Sequence, residues 1–130
     1  MEHPQKWGVL MKENTKLGQV IYDLRIRHSM KGQALAEKVG ISRSYLCQLE
    51  HGVRLNPDPA VIMKISKVLD LTDDEASELF DMYAKETGQL APDIVEYIRS
   101  NKMVQKALRC ACNKGVPDEV WGQFIEQLNK

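Results

Sequence analysis

The stretch LAEKVGISRSYLCQLEHG, Leu35 to Gly52, constrains this chain more than any other feature of it. It holds two short apolar patterns divided by one glycine. Leu35, Ala36 and Val39 recur at helical spacing and predict a helix from about Gly32 to Val39. Gly40 suits the left-handed residue that closes such a helix. Ser42 is a good N-cap for the next helix, about Arg43 to His51, which Gly52 ends.

The faces of that second helix differ in kind. At about 100° per residue, with Arg43 at zero, Cys47 falls near 40°, His51 near 80°, Ser44 near 100° and Gln48 near 140°. On the same wheel Tyr45 falls near about 200°, Leu49 near 240° and Leu46 near 300°. The apolar arc is expected to pack, and the other arc to face out. A solvated face usually carries Glu and Lys. This one carries short polar groups and one arginine, which would let the helix sink into a groove. Arg can donate twice to guanine, and Gln can pair with adenine. A plain polar surface helix has the same periodicity.

The rest of the chain reads as helices, so the predicted fold class is all-α. Leu17, Val20, Ile21 and Leu24 mark a first helix from about Thr15 to His28, with Ile26 at the margin of its stripe. Pro57 and Pro59 hold the loop after Gly52 open. Val61, Ile62, Ile65, Val68 and Leu69 then mark a fourth helix. Thr72 and Glu75 form a capping box for a fifth, with Ala76, Leu79, Phe80 and Tyr83 inward, stopped by Thr87-Gly88. Beyond Pro92, short helices are expected to about Ser100 and from about Lys102 to Asn113. After Gly115 and Pro117, Val120, Trp121, Phe124, Ile125 and Leu128 form a last apolar stripe. Residues 1–14 are expected to form an N-terminal tail; the first ten have no clear period and are either disordered or tethered by Trp7, and Met11 is a candidate internal start.

The quoted residues resemble the XRE, or Cro/C1-type, helix-turn-helix family, the phage-repressor-like DNA-binding domain. The likeness covers residue 17 to about 80. It rests on Leu35-Ala36, Val39-Gly40-Ile41-Ser42, Leu46, Leu49-Glu50-His51-Gly52, Pro57 and Leu69. The resemblance implies a five-helix lambda-repressor-like domain over 15–88. Its second and third helices form the motif, and the third enters the major groove of double-stranded DNA. Residues 89–130 would be a helical C-terminal extension that can pack on the same chain or hold a homodimer.

Family roles carry over at matching positions. Arg43, Ser44, Cys47 and Gln48 stand where base contacts are made. Ser42, Lys31, Gly32, Gln33, His51, Arg54 and Asn56 are placed for phosphates, which orient a protein without reading sequence. Gly32 departs from the family, whose usual residue there is a phosphate-binding Gln. Its backbone N–H can still serve, and Lys31 or Gln33 can replace the lost side chain. The loop at Leu55-Asn56-Pro57-Asp58 is slightly long. Arg25 and Glu50 match a structural ion pair. Tyr45 is expected to pack, with the DNA backbone edge as its alternative.

Charge and cysteine content agree with this reading. Net charge is zero, but Lys12–Arg54 has eight Lys or Arg against four Asp or Glu. Leu55–Glu86 has three against eight. One face can therefore approach phosphates while another turns away. Cys47, Cys110 and Cys112 make no even disulfide set, and reduced thiols are expected. Cys110 and Cys112 would point about 200° apart on a helix, so they suit one metal poorly. His3, His28 and His51 have no metal spacing. No cofactor is expected. No apolar run nears the ~20 residues of a membrane span, and no secretory signal is visible, so a cytoplasmic location is expected. The acidic run Asp73-Asp74-Glu75 fits a helix N-terminus. With no nucleophile–base pair or phosphate loop, no enzyme is expected. The predicted function is a sequence-specific transcriptional regulator, a repressor rather than an activator, bacterial or from a bacterial mobile element. The alternative is the same fold kept as a protein-interaction module, an antitoxin or adaptor.

Overall fold

The computed structural model describes residues 16–130, and the expectations for the tail, Trp7, Met11 and His3 lie outside them. The described residues form eight helices and no strand. These are α1 (Lys16–Arg27), α2 (Gly32–Val39), α3 (Arg43–Glu50), α4 (Pro59–Leu69), α5 (Asp73–Thr87), α6 (Pro92–Arg99), α7 (Lys102–Lys114) and α8 (Asp118–Leu128).

Each boundary has a local cause. Gly40 ends α2 at φ 90° and donates to the Ala36 carbonyl at 2.9 Å. Ser42 starts α3, its Oγ accepting from the Tyr45 N–H at 2.9 Å. Asp58 caps α4 through the Ala60 N–H, and Pro59 takes the first-turn position that needs no N–H. At α5 the capping box is complete: Thr72 Oγ1 accepts from the Glu75 N–H at 3.2 Å, and Glu75 Oε1 accepts from the Thr72 N–H at 3.0 Å. Gly88 then closes α5 at φ 75°.

The chain divides into two compact units, one through Ile94 and one from Val95 to Lys130. The core of the first unit joins Leu17, Ile21 and Leu24 of α1 to Leu35 and Val39 of α2 and Leu46 of α3. Ile62 and Ile65 of α4 and Leu79 and Tyr83 of α5 complete it. Ala91 and Pro92 also bury in this unit, which carries its edge past the Thr87-Gly88 stop. Ile26 turns outward at 51% exposure, because the stripe of α1 is already filled by Ile21 and Leu24. The second unit has no buried hydrophobic side chain. Two helices and the end of α6 cannot enclose a core of their own, and the stripe of α8 remains exposed.

Helices α1 and α5 run antiparallel, tied at both ends. The Leu17 N–H donates to Glu86 Oε2 at 2.8 Å. At the other end Arg27 Nη1 donates to Glu75 Oε2 at 3.2 Å, and His28 Nε2 lies 2.9 Å from Glu75 Oε1. Glu75 thus serves the cap and the helix pair together. The Thr72 N–H first, then His28, hold its carboxyl down at about 2 instead of 4.5; burial opposes them, and Arg27 adds a weaker downward pull. A carboxyl depressed in the fold stabilises it fully above its unfolded value and loses that effect as pH falls toward the folded value. In urea unfolding across pH, the advantage of the native protein over Glu75→Gln should be constant above about 4.5 and shrink toward pH 2. A gap unchanged through that window contradicts the assignment.

Candidate nucleic-acid interface

Helix α3 is held from behind by two contacts with α1. The first is steric. Gly18 of α1 presses on the last turn of α3, where a Cβ would strike the Leu49 carbonyl oxygen and lie 2.6 Å from that of Glu50. Only a glycine lets the two backbones come this close. The second is electrostatic. Arg25 donates from Nε to Glu50 Oε2 at 2.7 Å and from Nη2 to Glu50 Oε1 at 3.0 Å. Its Nη1 also donates to the Met30 carbonyl at 3.1 Å, which ties in the turn before α2. Both side chains are buried, and the Glu50 hydrogen bond raises the Arg25 pKa above its already high value. With its carboxylate committed, Glu50 offers no free negative charge at the end of α3.

Leu46 and Leu49 bury the apolar arc of α3, and Arg43 and Ser44 stand exposed on the other arc, with Cys47 and Gln48 partly exposed. A shallow open depression runs along that arc, lined by Arg43, Ser44, Cys47, Gln48, His51 and Val53. All four expected base-contact residues therefore share one surface. His51 donates Nδ1–H to the Cys47 carbonyl at 2.8 Å, with the Cys47 sulfur 3.6 Å from the same nitrogen. This fixes the ring and leaves Nε2 available to a partner.

The expected phosphate contacts lie on both sides. Arg54 is carried back along α3 by its N–H, which donates to the Gln48 carbonyl at 3.1 Å. Its guanidinium stacks on the Tyr45 ring at 5.1 Å from the centroid. Tyr45 is thus half-buried and serves as a platform for Arg54. Lys31 and Gln33 are exposed at the start of α2, and Gln33 donates to Glu37 at 3.3 Å. Gly32 is buried there under the Arg43 side chain. Asn56 is exposed in the following loop at φ 54°.

Two residues of this region escaped the sequence reading. Val53, 75% exposed, extends the depression beyond the end of α3. Its signal was weak: one apolar residue in a turn. Gly18 had a clearer signal, since an isolated glycine inside a helical pattern often marks a close backbone approach.

Two short helices at a tight glycine turn, the second buried on one flank and open on the other, make this a helix-turn-helix protein. A family model described as helix-turn-helix matches residues 21–75. The transcriptional regulator SinR of Bacillus subtilis (strain 168) is 36% identical over 115 residues, which cover 85% of this chain and 89% of SinR. The regulator SlrR of the same organism is 37% identical over 76 residues, or 55% of this chain, and the chain spans about half (48%) of SlrR. A solved complex of the SinR protein with the SinI protein aligns with TM-score 0.46 and 25% identity, over 87% of this chain and 94% of that one. The chain belongs to the Cro/C1-type, or XRE, helix-turn-helix family, whose relatives here are transcriptional regulators.

Adding a methyl group at Gly18 ordinarily gains helix propensity. Here it collides with rigid carbonyls, and overpacking of that kind costs about 1–3 kcal/mol. Gly18→Ala should therefore lower the urea midpoint of the whole chain, although mid-helix Gly→Ala changes usually raise it. An unchanged or higher midpoint would show that α1 and α3 do not meet through this residue.

Proposed function

We propose that this protein is a cytoplasmic, sequence-specific DNA-binding repressor that reads the major groove with α3. The observation that carries the reading is the outer arc of α3: short, uncharged Ser44, Cys47 and Gln48 between the cations Arg43 and Arg54. Short side chains let the helix approach base edges, where Gln48 can pair with adenine N6 and N7. Ser42, Lys31, the Gly32 N–H, Gln33, His51, Arg54 and Asn56 ring that arc and are suited to phosphates, which set register without reading sequence. Membership of a family of transcriptional regulators supports the same conclusion. Occupying a promoter is sufficient to repress it, so the mechanism requires no chemistry and no cofactor.

In this reading residues 15–88 bind DNA and residues 89–130 hold two copies together as a homodimer. On α8, Val120, Phe124, Ile125 and Leu128 are 47–68% exposed and Trp121 is 37% exposed. That stripe is the natural material for self-association. Two copies would place two reading helices about 34 Å apart and double the contacts on a two-fold site.

Duplexes selected from a random pool provide the test. The selected set should share a palindrome, and affinity should fall steeply as salt rises. Gln48→Ala should weaken the selected duplex by about 1–3 kcal/mol and relax one base position. Arg54→Ala should weaken selected and scrambled duplexes by the same factor. Absence of duplex binding at low salt would defeat the reading and favour a protein-interaction module.

A further inference from the structure

The first residue of α2 is a glycine that is nonetheless buried, and what buries it is the guanidinium of Arg43. A Cβ on Gly32 would lie 2.6 Å from Arg43 Cζ, 2.8 Å from Nε and 2.9 Å from Nη2. Three guanidinium atoms at nearly equal distance mean that the group lies flat on the glycine. The Arg43 side chain therefore leans toward the start of α2, while it still lines the end of the α3 depression. To read guanine O6 and N7, an arginine must present its edge in the plane of the base pair. Bedded on Gly32, this guanidinium rests at the start of α2.

Where it lies, the charges in the cap and first turn of α2 have one sign. Lys31 is exposed beside it, and its side chain gives α2 no capping hydrogen bond. The first turn of α2 holds no acidic residue. The N–H groups of Gly32, Gln33 and Ala34 precede the first intrahelical bond, which Leu35 makes to the Lys31 carbonyl at 3.0 Å. Among the described ion pairs Arg43 has no partner. A phosphate suits that surface better than a base edge, which carries donors as well as acceptors.

We propose that Arg43 is a phosphate contact and that Gly32 is the residue that positions it. This rests on the DNA-binding reading and changes one role within it. Base discrimination then falls to Ser44, Cys47, Gln48 and Val53, while Arg43 clamps the DNA backbone from α3 at the mouth of α2. Glycine at position 32 is the condition for this arrangement, since even a methyl group there would expel the guanidinium.

The test uses the full chain, its selected duplex and a scrambled duplex of equal length, titrated over a salt series. Arg43→Ala should weaken both duplexes by the same factor. It should also reduce the slope of log affinity against log salt by about 0.9, with the preferred sequence unchanged. Gly32→Ala should weaken both duplexes in the native background and have little further effect on Arg43→Ala, because the two act as one unit. Thermal melts of each variant identify any loss that comes from unfolding, and the comparison is made among variants that melt like the native chain. Relaxation of one base position by Arg43→Ala, with the salt slope and scrambled-duplex affinity unchanged, overturns the proposal. So does equal loss from Gly32→Ala with and without Arg43. Failure of the native chain to bind either duplex overturns the regulator reading beneath it.

Discussion

The ion pair between Arg25 and Glu50 governs where the outer arc of α3 can be. Three hydrogen bonds from one guanidinium join α1, the turn before α2 and the last turn of α3. A buried pair of this kind adds little net stability over an apolar pair, because both charges lose their hydration. Leaving one member alone is costly, about 3–5 kcal/mol, so the pair selects a single arrangement of three segments. Gly18 acts in the same place by another mechanism, allowing α1 to touch the backbone of α3. With the rear of α3 fixed by charge and by contact, its front is a rigid surface. A rigid surface loses less entropy when it docks.

Much of this was legible because the controlling signals are local. Gly40 and Ser42 announce the turn, Thr72 and Glu75 announce the start of α5, and the apolar spacing in α2 and α3 assigns their buried flanks. The Arg25–Glu50 pair was legible only through the family resemblance, since its members lie twenty-five positions apart. What remained hidden depends on contacts between distant segments. No periodicity shows that Glu75 gathers His28 and Arg27, that Tyr45 supports Arg54, or that Arg43 lies on Gly32. The wheel placed Arg43 on the outer arc correctly, but a wheel assigns a direction to a Cβ and not to the end of a long side chain. The stripe of α8 shows the opposite limit. Its pattern was plain, yet pattern alone does not say what covers it, and within this chain its residues stay exposed.

The two units divide the work by composition. The first carries the basic stretch through Arg54 and, further along the chain, the acidic helix α5. Such a charge gradient favours one approach to a polyanion and opposes the reverse one, which orients an encounter before any specific contact forms. The second unit carries no buried hydrophobic side chain and one exposed apolar stripe on α8, the surface that the proposed homodimer would cover. In the proposed reading, affinity from phosphates, discrimination from a few short side chains and doubling through the C-terminal unit are separable contributions. None of them needs a large interface in one copy.

The central claim is that α3, locked by Arg25 and Glu50, presents one flank to DNA. Its most direct test is an NMR titration of the labelled full chain with its selected duplex. The account predicts that amide shifts concentrate at residues 42–54 and 31–33, while α5 and the stretch of α1 around Arg25 keep their free-state positions. Shifts centred on α4, α5 or the C-terminal helices, with residues 42–54 unmoved, would contradict it.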